Sequence, residues 1–477
     1  MAADQNPTTP GPDYDLIVIG AGPVGENVAD YATKRGIRVA IVESELVGGE
    51  CSYWACMPSK ALLRSGHALR AVQRLDGARQ AATGWLNVPA VLARRDAFAS
   101  DWNDDGQVAW LESAGIDLIR GHARITGRGA IDVDGRPYRA NAIAVATGSI
   151  PVLPDIPGLA DANPWGTREA TSAKGVPPRL LVVGGGVAGT ELATAYASLG
   201  SQVTLVARSG LLVREEPFAG EIVAGALRGL GVDVRLGTTL RKVDRDAAGV
   251  VTTELDDGTI VVTDEILITT GRRASTFDLG LETVGLHPGE WLTVDDTMLV
   301  SGTDWLYAVG DVNGRALLTH QGKYQARAAG EVIAARLTGT PVHAEPWGDH
   351  VATADDTAVP QVVFTDPEVA RVGLTEADAR ARGLTVRAVE YELGWVAGAK
   401  LHADGYEGRA KMIVDEDRQI VVGATFVGQD VAELLHSATI AVVGQVPLHR
   451  LWHAVPSYPT ISEIWLRLLE TYGRPAL

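Results

Sequence analysis

The sequence predicts an α/β chain, with two dinucleotide-binding units followed by a C-terminal α+β domain. Three observations carry that expectation. A glycine-rich turn joins a strand pattern to a helix pattern twice, at Gly20-Ala21-Gly22-Pro23-Val24-Gly25 and at Gly184-Gly185-Gly186-Val187-Ala188-Gly189. Beyond about residue 345 the alternation gives way to β-branched runs and then helices. The chain's 2 cysteines, Cys51 and Cys56, stand together between the two units.

In the first unit, the apolar run Leu16-Ile17-Val18-Ile19 is a strand, the glycines follow it, and a helix pattern continues to Lys34. A second strand, Arg38-Val39-Ala40-Ile41-Val42, ends on Glu43. Strand, G-x-G-x-x-G, helix, strand and acid in this order form a Rossmann-like fingerprint. Its glycines let backbone amides and a helix N-terminus approach a pyrophosphate, and the acid bonds a ribose. In the second unit the strand Gln202-Val203-Thr204-Leu205-Val206 ends on Ala207-Arg208 with no acid. A carboxylate there would repel a 2′-phosphate, whereas Arg208 and Arg214 can pair with one, so NADPH is the expected nicotinamide cofactor. Both arginines as ordinary solvated surface residues is the plainer alternative.

The two cysteines lie in Gly48-Gly49-Glu50-Cys51-Ser52-Tyr53-Trp54-Ala55-Cys56-Met57-Pro58-Ser59-Lys60. So few thiols do not make a disulfide scaffold, and a zinc site would need further ligands that the neighbourhood lacks, so no metal is expected. Residues i and i+5 lie about 140° apart on an ideal helix, so a bridge between them requires a distorted turn. Residues 59–70 are expected to be helical, and the helix N-terminus favours a thiolate at Cys56. These features point to a nucleophilic, redox-active pair.

Composition supports a soluble globular chain: 477 residues, 46% hydrophobic and 21% charged. A net charge of −17 argues against nucleic acid or an anionic membrane as partner. The sequence shows neither a transmembrane stretch nor a signal peptide, so a cytoplasmic location is expected, with residues 1–12 as a mobile tail. Residues 71–115 have a helical, polar pattern in which Trp85, Trp102 and Trp110 are packing or surface residues. Ile143-Ala144-Val145-Ala146-Thr147-Gly148 is a short buried strand closing on a glycine, and the Pro-rich run 151–164 is a domain boundary. Leu306-Tyr307-Ala308-Val309 is a strand ending in Gly310-Asp311. Strands are expected at 359–364, 385–392, 410–414 and 419–427, and helices at 375–382 and 430–443.

From residue 13 to about 470 the chain resembles the class I pyridine nucleotide-disulfide oxidoreductases, the family of glutathione reductase, dihydrolipoamide dehydrogenase and mercuric reductase. The resemblance implies an FAD-binding domain over 13–150 and 271–345, an NAD(P)H-binding domain over 151–270 and a dimerisation domain over 346–477. It implies that Gly20, Gly22, Gly25 and Glu43 hold the adenosine half of FAD. Gly49, Thr147, Gly148, Gly271, Gly310 and Asp311 would complete that site, with Asp311 on the ribityl chain. Gly184, Gly186 and Gly189 would serve NADPH. Cys56 would be the thiol against the flavin and Cys51 the interchange thiol facing substrate, with Lys60 near flavin N5 and paired to Glu191. The family is homodimeric, and its C-terminal segment completes the partner's active site.

Three departures stand out. Glu50 occupies a position where the family usually has Thr, and Tyr53, Trp54 and Ala55 make the loop between the cysteines bulkier. The family's His-Pro-Thr-x-x-Glu is here Tyr458-Pro459-Thr460-Ile461-Ser462-Glu463. Imidazole, with an ordinary pKa of about 6.5, both gives and takes a proton at neutral pH, whereas a phenol near about 10 seldom acts as a base. His453 could substitute, although a lone His beside Trp452 is more often a packed or surface residue, and Glu463 is expected to bond the Tyr458 hydroxyl. The sequence thus predicts an NADPH-dependent flavoenzyme passing electrons through Cys51 and Cys56 to a small disulfide or related acceptor. The alternatives are a diaphorase-like reductase of quinones or metal ions, and a non-catalytic redox sensor.

Overall fold

The computed structural model describes residues 11–474, so most of the expected tail lies outside the described residues. They form two compact units. Among the described residues the first comprises 11–53, 102–150 and 272–355; the second comprises 54–101, 151–271 and 356–474.

Among the described residues the first unit is built on a seven-stranded sheet. Its order is Asp117–Arg120, Val39–Glu43, Tyr14–Ile19, Arg136–Val145, Ala130–Val133 and Ala123–Gly127, with Leu306–Ala308 also on Arg136–Val145. The strand expected at 143–148 is the end of this ten-residue strand. Its first half pairs antiparallel with Ala130–Val133, and its second half pairs parallel with Tyr14–Ile19 and Leu306–Ala308. The parallel strands are nearly continuous apolar runs, as strands covered on both faces must be. One face is covered by helices Pro23–Thr33 and Thr319–Thr338. The second was not expected: its alanine-rich, mixed-polar sequence lacks a clean amphipathic stripe. It packs through small residues, and a Cβ at Gly330 would stand 2.8 Å from the Val28 carbonyl.

The second unit, among the described residues, contains a four-stranded parallel sheet in the order Asp233–Leu236, Gln202–Ala207, Arg179–Val183, Glu265–Ile268. Beside it run an unexpected antiparallel meander, Leu240–Arg245, Val251–Leu255 and Ile260–Thr263, and the helices Val187–Ser198 and Pro217–Gly229. The C-terminal part is a five-stranded antiparallel sheet in the order Pro360–Val363, Glu368–Gly373, Ile420–Gly428, Arg409–Asp415, Val386–Glu392. Helices Glu376–Ala381, Val431–Val443 and Ile464–Tyr472 accompany it.

Two expectations along the redox segment need correction. The helix begins at Cys56 and runs to Gln73, three residues earlier than expected. Pro58 falls in its first turn, where a missing N–H costs no intrahelical bond. Residues 71–115 are not continuously helical: beyond Gln73 the long helices cover only Val88–Phe98 and Asp105–Ala114. Trp85 is almost fully exposed, and Trp102 and Trp110 are also partly exposed.

Candidate active site

The first glycine-rich turn is closed by backbone contacts that no side chain would permit. A Cβ at Gly25 would lie 1.9 Å from the Gly20 carbonyl, so the helix Pro23–Thr33 rests directly on the end of the first strand. At Gly22 the nearest atom to such a Cβ is 3.9 Å away, leaving its outer side open. Glu43 ends the second strand with both carboxylate oxygens engaged: Oε2 accepts from the Ala21 amide and Oε1 from the Glu45 amide, each at 2.8 Å. Gly49 adopts a left-handed conformation, φ 57°, and a Cβ there would stand 2.7 Å from Gly22 Cα. The glycine pair ahead of Cys51 is thus one wall of the cradle.

Beside this turn, Gly148 and Gly310 have positive φ; a Cβ at Gly20 would stand 3.2 Å from the Thr147 amide nitrogen, and one at Gly310 3.1 Å from Val24. Thr147 Oγ1 is buried and has no hydrogen-bond partner, an orphan that a bound polar group would satisfy. Ser149 Oγ donates to Asp311 Oδ2 at 2.6 Å and accepts from Arg272 Nε at 2.6 Å. Burial pushes the Asp311 carboxyl up; Ser149 and Arg272 oppose that, and Glu50 adds to it. The turn is pinned from behind, where Gln325 Oε1 accepts from the Gly310 amide and Asn313 Nδ2, both at 2.8 Å. Gln325 and Gln321 each donate to Asp355 at 2.7 Å. Open space beside Gly22, an acid at Glu43 that closes the turn and a buried unpartnered hydroxyl at Thr147 fit the FAD that the resemblance implies.

In the second unit the turn repeats the first: a Cβ at Gly189 would lie 2.0 Å from the Gly184 carbonyl, while Gly186 is open. Ala207 is buried behind the turn, and Arg208 and Arg214 are exposed with no ion pair among the described residues. Gly271 has φ 141°, and its carbonyl accepts from the Val152 amide at 3.0 Å.

Cys51 lies in the short helix Gly49–Tyr53, and Cys56 opens the helix Cys56–Gln73. The distortion expected between them falls at Ala55, φ −133° and ψ −96°. The bulky residues of this loop are anchors. Buried Tyr53 donates to the Val47 carbonyl at 3.0 Å, and the Trp54 carbonyl accepts from Thr171 Oγ1 at 2.7 Å while Arg168 lies 4.0 Å over the Trp54 ring. Both cysteines are half-buried. Lys60, one turn after Cys56, has its Nζ 2.7 Å from Glu191 Oε2. Glu191 is only 3% exposed; its Oε1 accepts from the Phe364 amide at 2.9 Å, and Lys60 also lies 5.0 Å over the Phe364 ring.

Glu463 does not take the partner expected of it. Its Oε1 accepts from the amides of Gly398, at 3.1 Å, and Thr460, at 3.2 Å, capping the turn after Tyr458. Tyr458 is 77% exposed, beyond that carboxylate's hydrogen bonds. A buried acid next to backbone N–H groups bonds them first, because each would otherwise be orphaned. His453 is exposed on the preceding segment. Ser149, Arg272, Gln325 and Asp355 escaped the sequence reading. The sole hint was two glutamines one turn apart, Gln321 and Gln325, on a helix otherwise rich in alanine.

Residues 14–330 match the family described as pyridine nucleotide-disulphide oxidoreductase, and residues 359–468 match its dimerisation domain. The chain is 33% identical to the mercuric reductase of Shigella flexneri over 96% of its own length and 81% of the relative's. It is also 33% identical to the dihydrolipoyl dehydrogenase of Thermus scotoductus, over 97% and 98% of the two chains. Among solved structures, the HOCl-induced flavoprotein disulfide reductase RclA from Escherichia coli superposes with a TM-score of 0.80 at 26% identity, covering 96% of this chain and 99% of that one.

The Asp355 network yields a direct test. Asp355→Leu leaves the Gln321 and Gln325 amides as buried unpaired donors, each costing roughly 1–3 kcal/mol. The expected result is a lowered thermal midpoint and less flavin in the purified protein. Unchanged values for both would show that the network does not support the Gly310 turn.

Proposed function

The chain belongs to the class I pyridine nucleotide-disulphide oxidoreductases, an FAD-containing and NAD(P)H-dependent family, and within it we propose that electrons pass from NADPH through FAD to a Cys51-Cys56 disulfide and on to a small acceptor. The observation that carries this reading is the placement of Cys56 at the first residue of a helix, with Lys60 one turn on and anchored by Glu191. Residues four apart share one helix face, so the thiol has the positive end of the helix and a fixed ammonium on its side. Both favour the thiolate, which is the reactive form.

FAD, when bound, supplies the two-electron relay between nicotinamide and disulfide. Gly20, Gly22, Gly25 and Glu43 would hold its adenosine half, and Thr147, Gly148 and Asp311 its flavin half. The dithiol does the remaining chemistry. The Cys51 thiolate attacks one sulfur of a disulfide acceptor, forming a mixed disulfide, and the departing thiolate takes up a proton. Cys56 then attacks the Cys51 sulfur, releases the second thiol and re-forms the Cys51-Cys56 bond. A reducing compartment such as the cytoplasm suits this cycle. The matched dimerisation domain, and the exposed Val455, Tyr458 and Ile440 in this part of the chain, support a homodimer in which Tyr458 reaches the partner's dithiol.

One observation favours a second reading. With Tyr458 exposed and Glu463 committed to backbone amides, no carboxylate orients a base in this segment. An acceptor that needs no protonated leaving group, such as a metal ion or a quinone, then fits as well as a disulfide. The relative named mercuric reductase places a metal ion among the acceptors to assay.

Anaerobic reduction by NADPH tests the thiol roles. Cys51→Ser should show long-wavelength absorbance from a Cys56 thiolate beside oxidised flavin, and Cys56→Ser should not. Identical spectra would refute the assignment, and full turnover by both variants would favour the acceptor that bypasses the thiols. For the nicotinamide, Arg208→Ala is expected to raise the KM for NADPH by roughly tenfold or more while leaving NADH little changed, because a charge-assisted phosphate contact is lost. Equal use of both nucleotides by the wild type would sink that preference. On glutathione disulfide and lipoamide the wild type should be slow and Tyr458→His faster. Wild-type turnover on the order of 10 per second, typical for enzymes, would count against tyrosine as the limiting group.

A further inference from the structure

The helix of the first dinucleotide turn carries two acids that no sequence expectation used: Asp30, which pairs with Lys34 at 2.7 Å, and Glu26. Glu26 directly follows Gly25, is 7% exposed, and its Oε1 is buried without a hydrogen-bond partner. Its carboxylate is electrostatically coupled to two groups of the cradle: Glu43, whose carboxylate closes the turn through the Ala21 amide, and Tyr53, in the short helix that begins at Gly49, where a Cβ would stand 2.7 Å from Gly22 Cα.

We propose that Glu26 is a further FAD-positioning residue, holding the cofactor as a neutral carboxylic acid, so that FAD retention is coupled to the uptake of one proton. The proposal rests on FAD occupying the first cradle. A buried carboxylate lacking donors is costly, whereas the neutral acid can donate as well as accept. Burial pushes the Glu26 carboxyl from 4.5 to about 7; the ammonium of Lys323 on helix Thr319–Thr338 opposes this and Glu43 reinforces it. On the short helix the Tyr53 hydroxyl is pushed up to about 12, chiefly by burial, with Asp104 and Glu26 adding to it. Strands Tyr14–Ile19 and Arg136–Val145 and helix Asp105–Ala114, which also pack on this helix, bring no charge to bear on it.

The sign follows from linkage. A pyrophosphate brought into this cradle adds negative charge and displaces water, so the carboxyl titrates higher with FAD bound than without. Retention is then complete below about pH 7. Above it, affinity declines by up to roughly tenfold per pH unit until the acid ionises in the loaded state.

The test uses the purified flavoprotein, diluted at pH values between about 6 and 9, with release read as recovered flavin fluorescence rather than activity. The wild type should lose flavin progressively above neutrality, and Glu26→Gln, neutral and nearly isosteric, should give a flat profile. Lys323→Gln removes the cation that favours ionisation and should move the wild-type onset to higher pH. A flat wild-type profile, or parallel profiles for the wild type and both variants, would overturn the proposal. A preparation with no flavin spectrum at all would overturn the placement of FAD itself and this inference with it.

Discussion

In the second unit the Lys60–Glu191 contact ties three separate segments together. Glu191 lies on the helix that follows the second glycine turn, Lys60 on the helix that Cys56 begins, and Phe364 just past a strand of the C-terminal sheet. One carboxylate joins all three segments, giving one oxygen to the ammonium and the other to a backbone amide. Because Glu191 is almost wholly buried, it needs both partners, and an unpaired charge there would be costly. The ion pair is therefore a means of holding a cation at a set distance along the helix from a thiol.

The two glycine turns show how one backbone solution serves two ends. In both, the third glycine sits on the carbonyl of the first, leaving no room for a side chain, and the middle glycine stays open to solvent. What differs is the edge of the next strand. Glu43 folds its carboxylate back onto the turn, whereas Ala207 leaves the corner to Arg208. The two turns thus share their backbone geometry and differ in the side chains that border them.

Several carboxyls of the first unit are pushed up by burial: Glu26, Asp311 and Asp355. Asp355 is matched by two amide donors and Asp311 by a hydroxyl, while Glu26 is left with a bare oxygen. Buried acids with donors serve as struts. One without a donor is a place where a ligand or a proton must complete the set.

The sequence alone determined the two glycine-turn units, the close pairing of Cys51 and Cys56 in the chain, and the glycines and acid of the first turn. These are legible because each is a local pattern: an apolar strand, a steric demand for glycine and a polar cap, all within a few turns of chain. The sequence started the helix that follows the cysteines at residue 59, and only the structure, starting it at Cys56, puts Lys60 one turn beyond the thiol. Tertiary structure decided what depends on distant partners. The Gln325–Asp355 support of the Gly310 turn spans separate segments, and the meander at 240–263 is held by cross-strand pairing. Glu463 went to the amides of Gly398 and Thr460 instead of Tyr458, because a buried carboxylate bonds the orphaned donors nearest it and only the folded chain reveals which those are.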